Sequence, residues 1–326
     1  MKTQLTSKST PGQRGSVSHA ATDRRAFLNC TAWAGTGLLW TMVGGVPISR
    51  AFAATSAAAD AGSFSFVQIS DSHIGFSKPA NPDPTATLKA AIDKINLSQL
   101  KQPTDLILHT GDVSHTSKPE QFDTAIQVIK GANVERVFYI PGEHDTSYDG
   151  GASYWEHFGK GARAGGWYSF DHKGVHFVGL NNVLMLEAFG DLGPQQLEWM
   201  KNDLAGLSAS TPIVVFAHVP LWMVYAPWGW GTNDAAQALA LLRRFGSVTV
   251  LNGHIHQIVQ KVEGNVSFHT AMSTAFPQPA PGTAPHAGPK VMPAGQLQSV
   301  LGVTSVNVVP GNSLLAVVDS SLEQRS

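Results

Sequence analysis

The chain of 326 residues is 43% hydrophobic and 14% charged, with a formal net charge of -1. That length supplies one sizeable core, and the charge fraction is too low for a chain that stays disordered. A near-neutral balance leaves no basic footprint, which excludes duplex nucleic acid as the partner.

Residues 1–53 read as an export signal and 54–326 as the functional domain. The stretch from Met1 to Arg25 is polar and carries Lys2, Lys8, Arg14, Arg24 and Arg25. An apolar run from Ala26 to Val46 follows, then Ala51-Phe52-Ala53, a small-x-small cleavage pattern. The segment from Thr22 to Leu28 resembles a twin-arginine signal, with Asp23 where Ser or Thr is usual and Asn29 where Lys is common. This implies the twin-arginine translocase as a partner during export, and a periplasmic or extracellular destination. The alternatives are an ordinary secretory signal or an uncleaved membrane anchor, since the apolar run nearly spans a bilayer. The single cysteine, Cys30, lies inside the signal, so the domain after it has no thiol and depends on its core.

From Phe64 onward, apolar strands alternate with helical periodicity. Strands are expected at 64–69, 105–109 and 136–140, with helices at 85–100 and 119–130 between them. A hairpin is expected from 166–170 and 175–180 around Asp171-His172-Lys173-Gly174. A helix over 194–207 has Pro194 in its first turn. Strands at 213–217 and 248–251 are wholly apolar, the pattern of strands buried on both faces, with a helix over 233–245 between them. Antiparallel partners are expected at 257–262 and 266–269, and strands near 300–309 and 314–318. A proline-rich excursion, 275–295, separates the last two pairs. Interleaved helices and buried strands give an α/β fold whose ligands sit outside the strand ends.

Five short motifs stand where those strands end: Asp71-Ser72-His73, Gly111-Asp112, Gly142-Glu143-His144-Asp145, His218 after an apolar run, and Gly253-His254-Ile255-His256. Carboxylates and imidazoles placed this way suit a pair of divalent ions held a few ångströms apart. The ordered series resembles the calcineurin-like metallophosphoesterase family and its pattern D-x-H, GD, GNH(D/E), an apolar-flanked H, and GHxH. The likeness runs from Asp71 to His256, and His73 draws it toward the cyclic-nucleotide phosphodiesterase branch. It implies a two-sheet α/β sandwich flanked by helices, with the metal site at the strand ends.

Carried over position by position, the resemblance makes Asp71, His73 and His256 ligands of a first metal, with Asp112 bridging both ions. His218 and His254 bind the second. His144 sits over the substrate phosphate, where it stabilises charge or protonates the departing alkoxide, and Asp145 orients its imidazole. The implied cofactors are two divalent or mixed-valence ions of Mn, Fe or Zn. A bridging water activated by them attacks a small-molecule phosphate ester, either a phosphodiester or a small phosphomonoester.

Three features depart from that pattern or extend it. Glu143 replaces the family's asparagine, which keeps an oxygen ligand and adds a negative charge; it is expected on the second metal. The rival reading is an idle site in a non-catalytic metal- or partner-binding protein. His115 stands three residues after Asp112, where the purple acid phosphatase branch has its metal-binding tyrosine, so a purple iron–phenolate site is not expected. His115 is either a substrate or outer contact or a plain loop histidine. Beyond His218, the aromatic run from Leu221 to Trp230 offers Trp222 and Trp228 as a wall for an apolar leaving group, or as anchors for the loop.

Overall fold

The computed structural model describes residues 39–43, 46–50, 62–99, 102–160, 165–184, 186, 188–309 and 315–323. The chain divides into two units, Met1–Thr55 and Ser56–Ser326. Strands β1 (Leu39–Val43) and β2 (Val46–Arg50) of the first unit form an antiparallel hairpin. The rest of the expected signal lies outside the described residues. Among the described residues no helix is long and apolar enough to cross a membrane.

The second unit is built on two sheets. The first has five strands, β3 (Phe64–Ile69), β4 (Thr104–His109), β5 (Arg136–Tyr139), β12 (Gly302–Val308) and β13 (Ala316–Ser321), in the order β13-β12-β3-β4-β5. The second has six strands in the order β10-β11-β9-β8-β7-β6. These are β6 (Tyr168–His172), β7 (Val175–Gly179), β8 (Ile213–Ala217), β9 (Val248–Asn252), β10 (Gln260–Glu263) and β11 (Val266–Thr270). β3, β4 and β5 run parallel, as do β7, β8, β9 and β11. Their carboxyl ends therefore gather at one crest of each sheet.

Alternation along the strands assigns each side chain to a layer. Phe64 and Phe66 meet Phe177, Val214 and Phe216 between the two sheets. Val67 and Ile69 face α1 (Pro84–Gln99) and α2 (Pro119–Ile129), which bring Leu88, Ile92, Ile95 and Phe122. Val178, Val215 and Val250 face α4 (Gly193–Leu204) and α5 (Ala235–Leu242) on the other side. Each fully buried Phe or Leu contributes roughly 1.5–3 kcal/mol, so these three layers supply the stability that no disulfide provides.

Toward the crest the inter-sheet layer turns polar. Buried Gln68 donates from Nε2 to Thr110 Oγ1 (2.9 Å) and to the Asn252 carbonyl (3.1 Å), crossing from one sheet to the other. Asn252 in turn donates to the Ala217 and Val219 carbonyls. This network locks β3, β4, β8 and β9 together one step below the loops that carry the motifs.

Several elements differ in detail from their sequence pattern. The first hairpin strand runs from Tyr168 to His172 rather than over 166–170, because the turn is only Lys173-Gly174, both in the left-handed region. Asp171 and His172 belong to the strand. Helix α3 (Ala152–Phe158) and the short α6 (Leu297–Val300) have too few turns for a periodic signal. The proline-rich excursion holds no helix or strand, and it starts beside the crest rather than on a remote surface.

Candidate metal centre

Three of the five motifs leave their strands through strained turns: those of Asp71, Asp112 and His254. Seven non-glycine residues among those described have positive φ, and five of them are Asp71, His73, Asp112, His254 and His256. Left-handed backbone costs a non-glycine residue about 1–2 kcal/mol, so five such residues in one place mark a site that the rest of the fold must hold. Two motif glycines act by absence. A Cβ on Gly111 would collide with the His218 ring, and one on Gly142 would collide with the Asp112 carboxylate. Any side chain there would displace the His218 ring or the Asp112 carboxylate.

The loops bring the motif side chains together. Ligand atoms of Asp71, His73 and His256 lie within 4.8 Å of one another, and so do those of Glu143, His218 and His254. Asp112 groups with Asp71 and His218 on one side and with Glu143 and His144 on the other, which places it between the two sets. Asp71 and His218 are 0% exposed and Asp112 is 1% exposed.

Two of the four ligand imidazoles are turned by a hydrogen bond from the nitrogen facing away from the cluster to a backbone carbonyl. His218 Nδ1 donates to the Thr110 carbonyl (2.7 Å), and His256 Nδ1 donates to the Phe276 carbonyl (2.6 Å). Both rings therefore aim Nε2 inward. Phe276 also stacks on His73 at 4.8 Å and 24°, so the start of the proline-rich excursion is a wall of the site. Nothing in the sequence pattern singles out Phe276, because its contribution is a backbone carbonyl and an apolar ring.

The inward atoms fit cations better than they fit each other. His218 Nε2 is 2.9 Å from Glu143 Oε2, and His254 Nδ1 is 3.0 Å from Glu143 Oε1. Nevertheless Glu143 Oε2, His218 Nε2 and His254 Nδ1 are buried without a hydrogen bond. His73 Nε2 and His256 Nε2 face each other at 3.2 Å. Lone pairs that converge on common points, buried and unsatisfied, are what a ligand set presents to an ion. Nitrogen and carboxylate oxygen suit Mn, Fe or Zn.

Burial opposes ionisation of Asp71 and Glu143, but His256 and His218 beside Asp71, and His254 and His218 beside Glu143, hold both carboxyls below their ordinary range. The same burial works against a charged His218, yet Asp112 and Glu143 raise it well above the ordinary histidine value. Carboxylates that pull this hard on protons are poised to exchange them for cations. His144 is raised by Asp112 and Glu143 against its own burial.

The remaining expected residues sort differently. The Asp145 carboxylate accepts from the backbone N–H groups of Val113 (3.1 Å), Ser114 (2.8 Å) and Gly142 (3.0 Å) and from the Ser114 hydroxyl (2.9 Å). It therefore ties two ligand loops together instead of orienting His144, because four donors already occupy its oxygens. Burial, then the charge of Asp112, pushes the carboxyl up to about 7. His144 takes its orientation from the His115 carbonyl, to which Nδ1 donates at 2.9 Å. His115 lies beside His73, with Nδ1 3.3 Å from His73 Nδ1. His109 is a core residue: its Nε2 meets Ser72 Oγ at 2.9 Å, and burial pushes its pKa down to about 3.

Of the two readings of the aromatic run, wall or anchor, the ring contacts support the anchor. Trp222 packs on Phe268 at 4.9 Å within the helix-side layer of the second sheet. Trp228 packs on Tyr225 and on buried Trp230, at 5.2 and 5.0 Å. These contacts bury ring area and anchor a long loop.

Two sheets with a crest of convergent carboxylates and imidazoles define a metallophosphoesterase fold. Residues 64–258 match the model of the calcineurin-like phosphoesterases, and the chain belongs to that family of phosphate ester hydrolases. It is 25% identical over 216 residues to a 3',5'-cyclic-nucleotide phosphodiesterase of Nostoc sp., covering 65% of this chain and 79% of that one. It is 22% identical over 219 residues to a probable glycerophosphodiester phosphodiesterase of Arcobacter nitrofigilis, covering 64% and 77%. A dimetal phosphatase of Danio rerio shares the fold, with a TM-score of 0.56 at 15% identity over 79% of this chain and 99% of that chain.

Proposed function

We propose that the protein hydrolyses phosphodiesters at a centre of two cations held by Asp71, His73, Asp112, Glu143, His218, His254 and His256. The observation that carries this reading is the set of buried, unsatisfied inward atoms on Glu143, His218 and His254. When bound, the cations would supply Lewis acidity and lower the pKa of attacking water. The chain's own residues do the rest. Asp112 lies within reach of both ligand sets and would hold them in register. His144, its Nδ1 fixed by the His115 carbonyl, presents Nε2 to the site and would carry the proton that the leaving oxygen takes up.

Charge favours the diester. Three carboxylates among the ligands, set against two divalent cations, leave one net positive charge with the imidazoles neutral. A phosphodiester brings one negative charge and a monoester close to two. Glu143, where the family pattern has a neutral asparagine, is the residue that sets this balance. The names of the two relatives point the same way. The test is hydrolysis of bis-p-nitrophenyl and p-nitrophenyl phosphates after loading with Mn, Fe or Zn. Faster turnover of the diester is expected; no turnover with any metal would leave a binding protein.

We also propose export by the twin-arginine route, on the strength of Arg24-Arg25 followed by Phe27-Leu28. Replacing both arginines with lysine should trap the protein in the cytoplasm, and unchanged export would overturn the assignment.

A further inference from the structure

His115 touches both of the histidines that matter most on its side of the site. Its Nδ1 is 3.3 Å from Nδ1 of His73, while Nε2 of His73 faces the ligand cluster, 3.4 Å from Asp112 Oδ2. Its backbone carbonyl accepts from His144 Nδ1 at 2.9 Å. The imidazole cannot drift, because Phe76 meets it edge-on at 5.1 Å and His144 stacks on it at 4.7 Å and 18°. Its own N–H donates to the Ile74 carbonyl at 2.9 Å, which ties it to the turn carrying His73.

A histidine that offers Nε2 to a cation must carry its proton on Nδ1, and that proton needs an acceptor. His256 has the Phe276 carbonyl for this purpose and His218 has the Thr110 carbonyl. The polar atom at hydrogen-bond distance from Nδ1 of His73 is Nδ1 of another imidazole, which accepts only when neutral and protonated on Nε2. We propose that His115 is a positioning residue, whose neutral ring accepts the His73 Nδ1 proton and whose carbonyl accepts the His144 Nδ1 proton. One residue thereby fixes the tautomer of a ligand at the first cation position and of the histidine that serves the leaving group. This rests on the two-cation reading above.

The competing assignment is a third ion, since ligand atoms of His73, His115 and His144 also lie within 4.8 Å of one another. Geometry argues against it. The His115 and His144 rings are nearly parallel, so their in-plane lone pairs run side by side and do not meet. His144 Nδ1 is already engaged with the His115 carbonyl.

The test uses the full chain with His115→Phe, which keeps the ring and the carbonyl but removes the acceptor, and His115→Gln, which restores an acceptor. Calorimetry with Mn2+ alone, chelator competition and the visible spectrum of the Co2+-loaded protein are the readouts. His115→Phe should weaken one of two sites about 10–100-fold and shift its Co2+ bands, leaving the other site unchanged. His115→Gln should recover most of that loss, which a purely packing role would not do. Melting of the metal-free variants checks that they fold. Wild-type affinity and spectrum in a folded His115→Phe would overturn the proposal alone. So would a third equivalent of ion in the wild type that this variant loses. A wild type that never binds two ions would overturn the functional reading as well.

Discussion

The two ends of the sandwich place histidine against carboxylate at nearly the same distances and with different results. At the amino ends of the central strands, His172 Nε2 donates to Asp105 Oδ2 at 2.7 Å, and Arg136 donates to His172 Nδ1 at 2.9 Å. His176 there is bracketed by Asp171 (2.8 Å) and Asp203 (2.9 Å). Both rings use both nitrogens. At the crest, His218 Nε2 and Glu143 Oε2 approach to 2.9 Å with neither atom in an aligned hydrogen bond. A pair that satisfies itself is a brace. A pair that approaches without satisfaction is arranged for a third body, and backbone strain is concentrated at that end for the same reason.

The largest effect that would test this contrast is Asp112→Asn, which should reduce kcat/KM for bis-p-nitrophenyl phosphate more than about 100-fold, beyond what outer partners of ligands cost. Asp105→Asn at the other end should leave turnover intact and lower stability in urea melts. Equal losses of activity from both would erase the distinction.

His144→Ala sharpens the picture of the leaving group. Rates on alkyl phosphodiesters should fall about 100-fold, with a much smaller loss on p-nitrophenyl esters, whose leaving oxygen needs no proton. Parallel losses on both esters would assign His144 to charge stabilisation instead.

Glu143→Gln keeps the oxygen and removes the charge. Cation affinity should drop about 10–100-fold, and the ratio of diester to monoester turnover should move toward the monoester. Unchanged metal content with an unchanged ratio would count against both its ligand role and the charge argument.

Chelation should lower the melting temperature of the wild type, because ions that bind only the folded chain stabilise it by about 2.7 kcal/mol at 100 times Kd. Asp112→Asn should show a smaller drop.

The smallest effect belongs to the brace. Burial opposes a charge on His176, but the hydrogen bonds it donates to Asp203 and Asp171 raise its pKa in the folded protein. Its contribution is therefore complete below the unfolded value of about 6.5 and fades as pH rises through the higher folded value. Asp203→Asn should flatten that dependence by about 1 kcal/mol or less in urea melts between pH 6 and 9. A steeper slope in the variant would reverse the assignment.

The ligand types were legible because each lies one to four residues past a strand, and strand order in parallel sheets delivers such residues to one crest. Asp71, Asp112 and the His254–His256 turn could be read this way. Trp222 could not, since the same aromatic residue serves a wall or an anchor and only its contact with Phe268 separates them. Asp145 stands beside His144 in the sequence, yet its carboxylate accepts from the backbone amides of Gly142, Val113 and Ser114.

What the linear chain determined by itself was composition in layers and donors at strand ends, since both depend on local periodicity and residue chemistry. Only the tertiary structure decided which atom of each imidazole faces inward. Those choices are made by the Thr110 and Phe276 carbonyls and the His115 ring, and the first two lie 108 and 20 residues from the histidines they orient. A backbone carbonyl has no side-chain signature, so its role exists only once folding has brought it there.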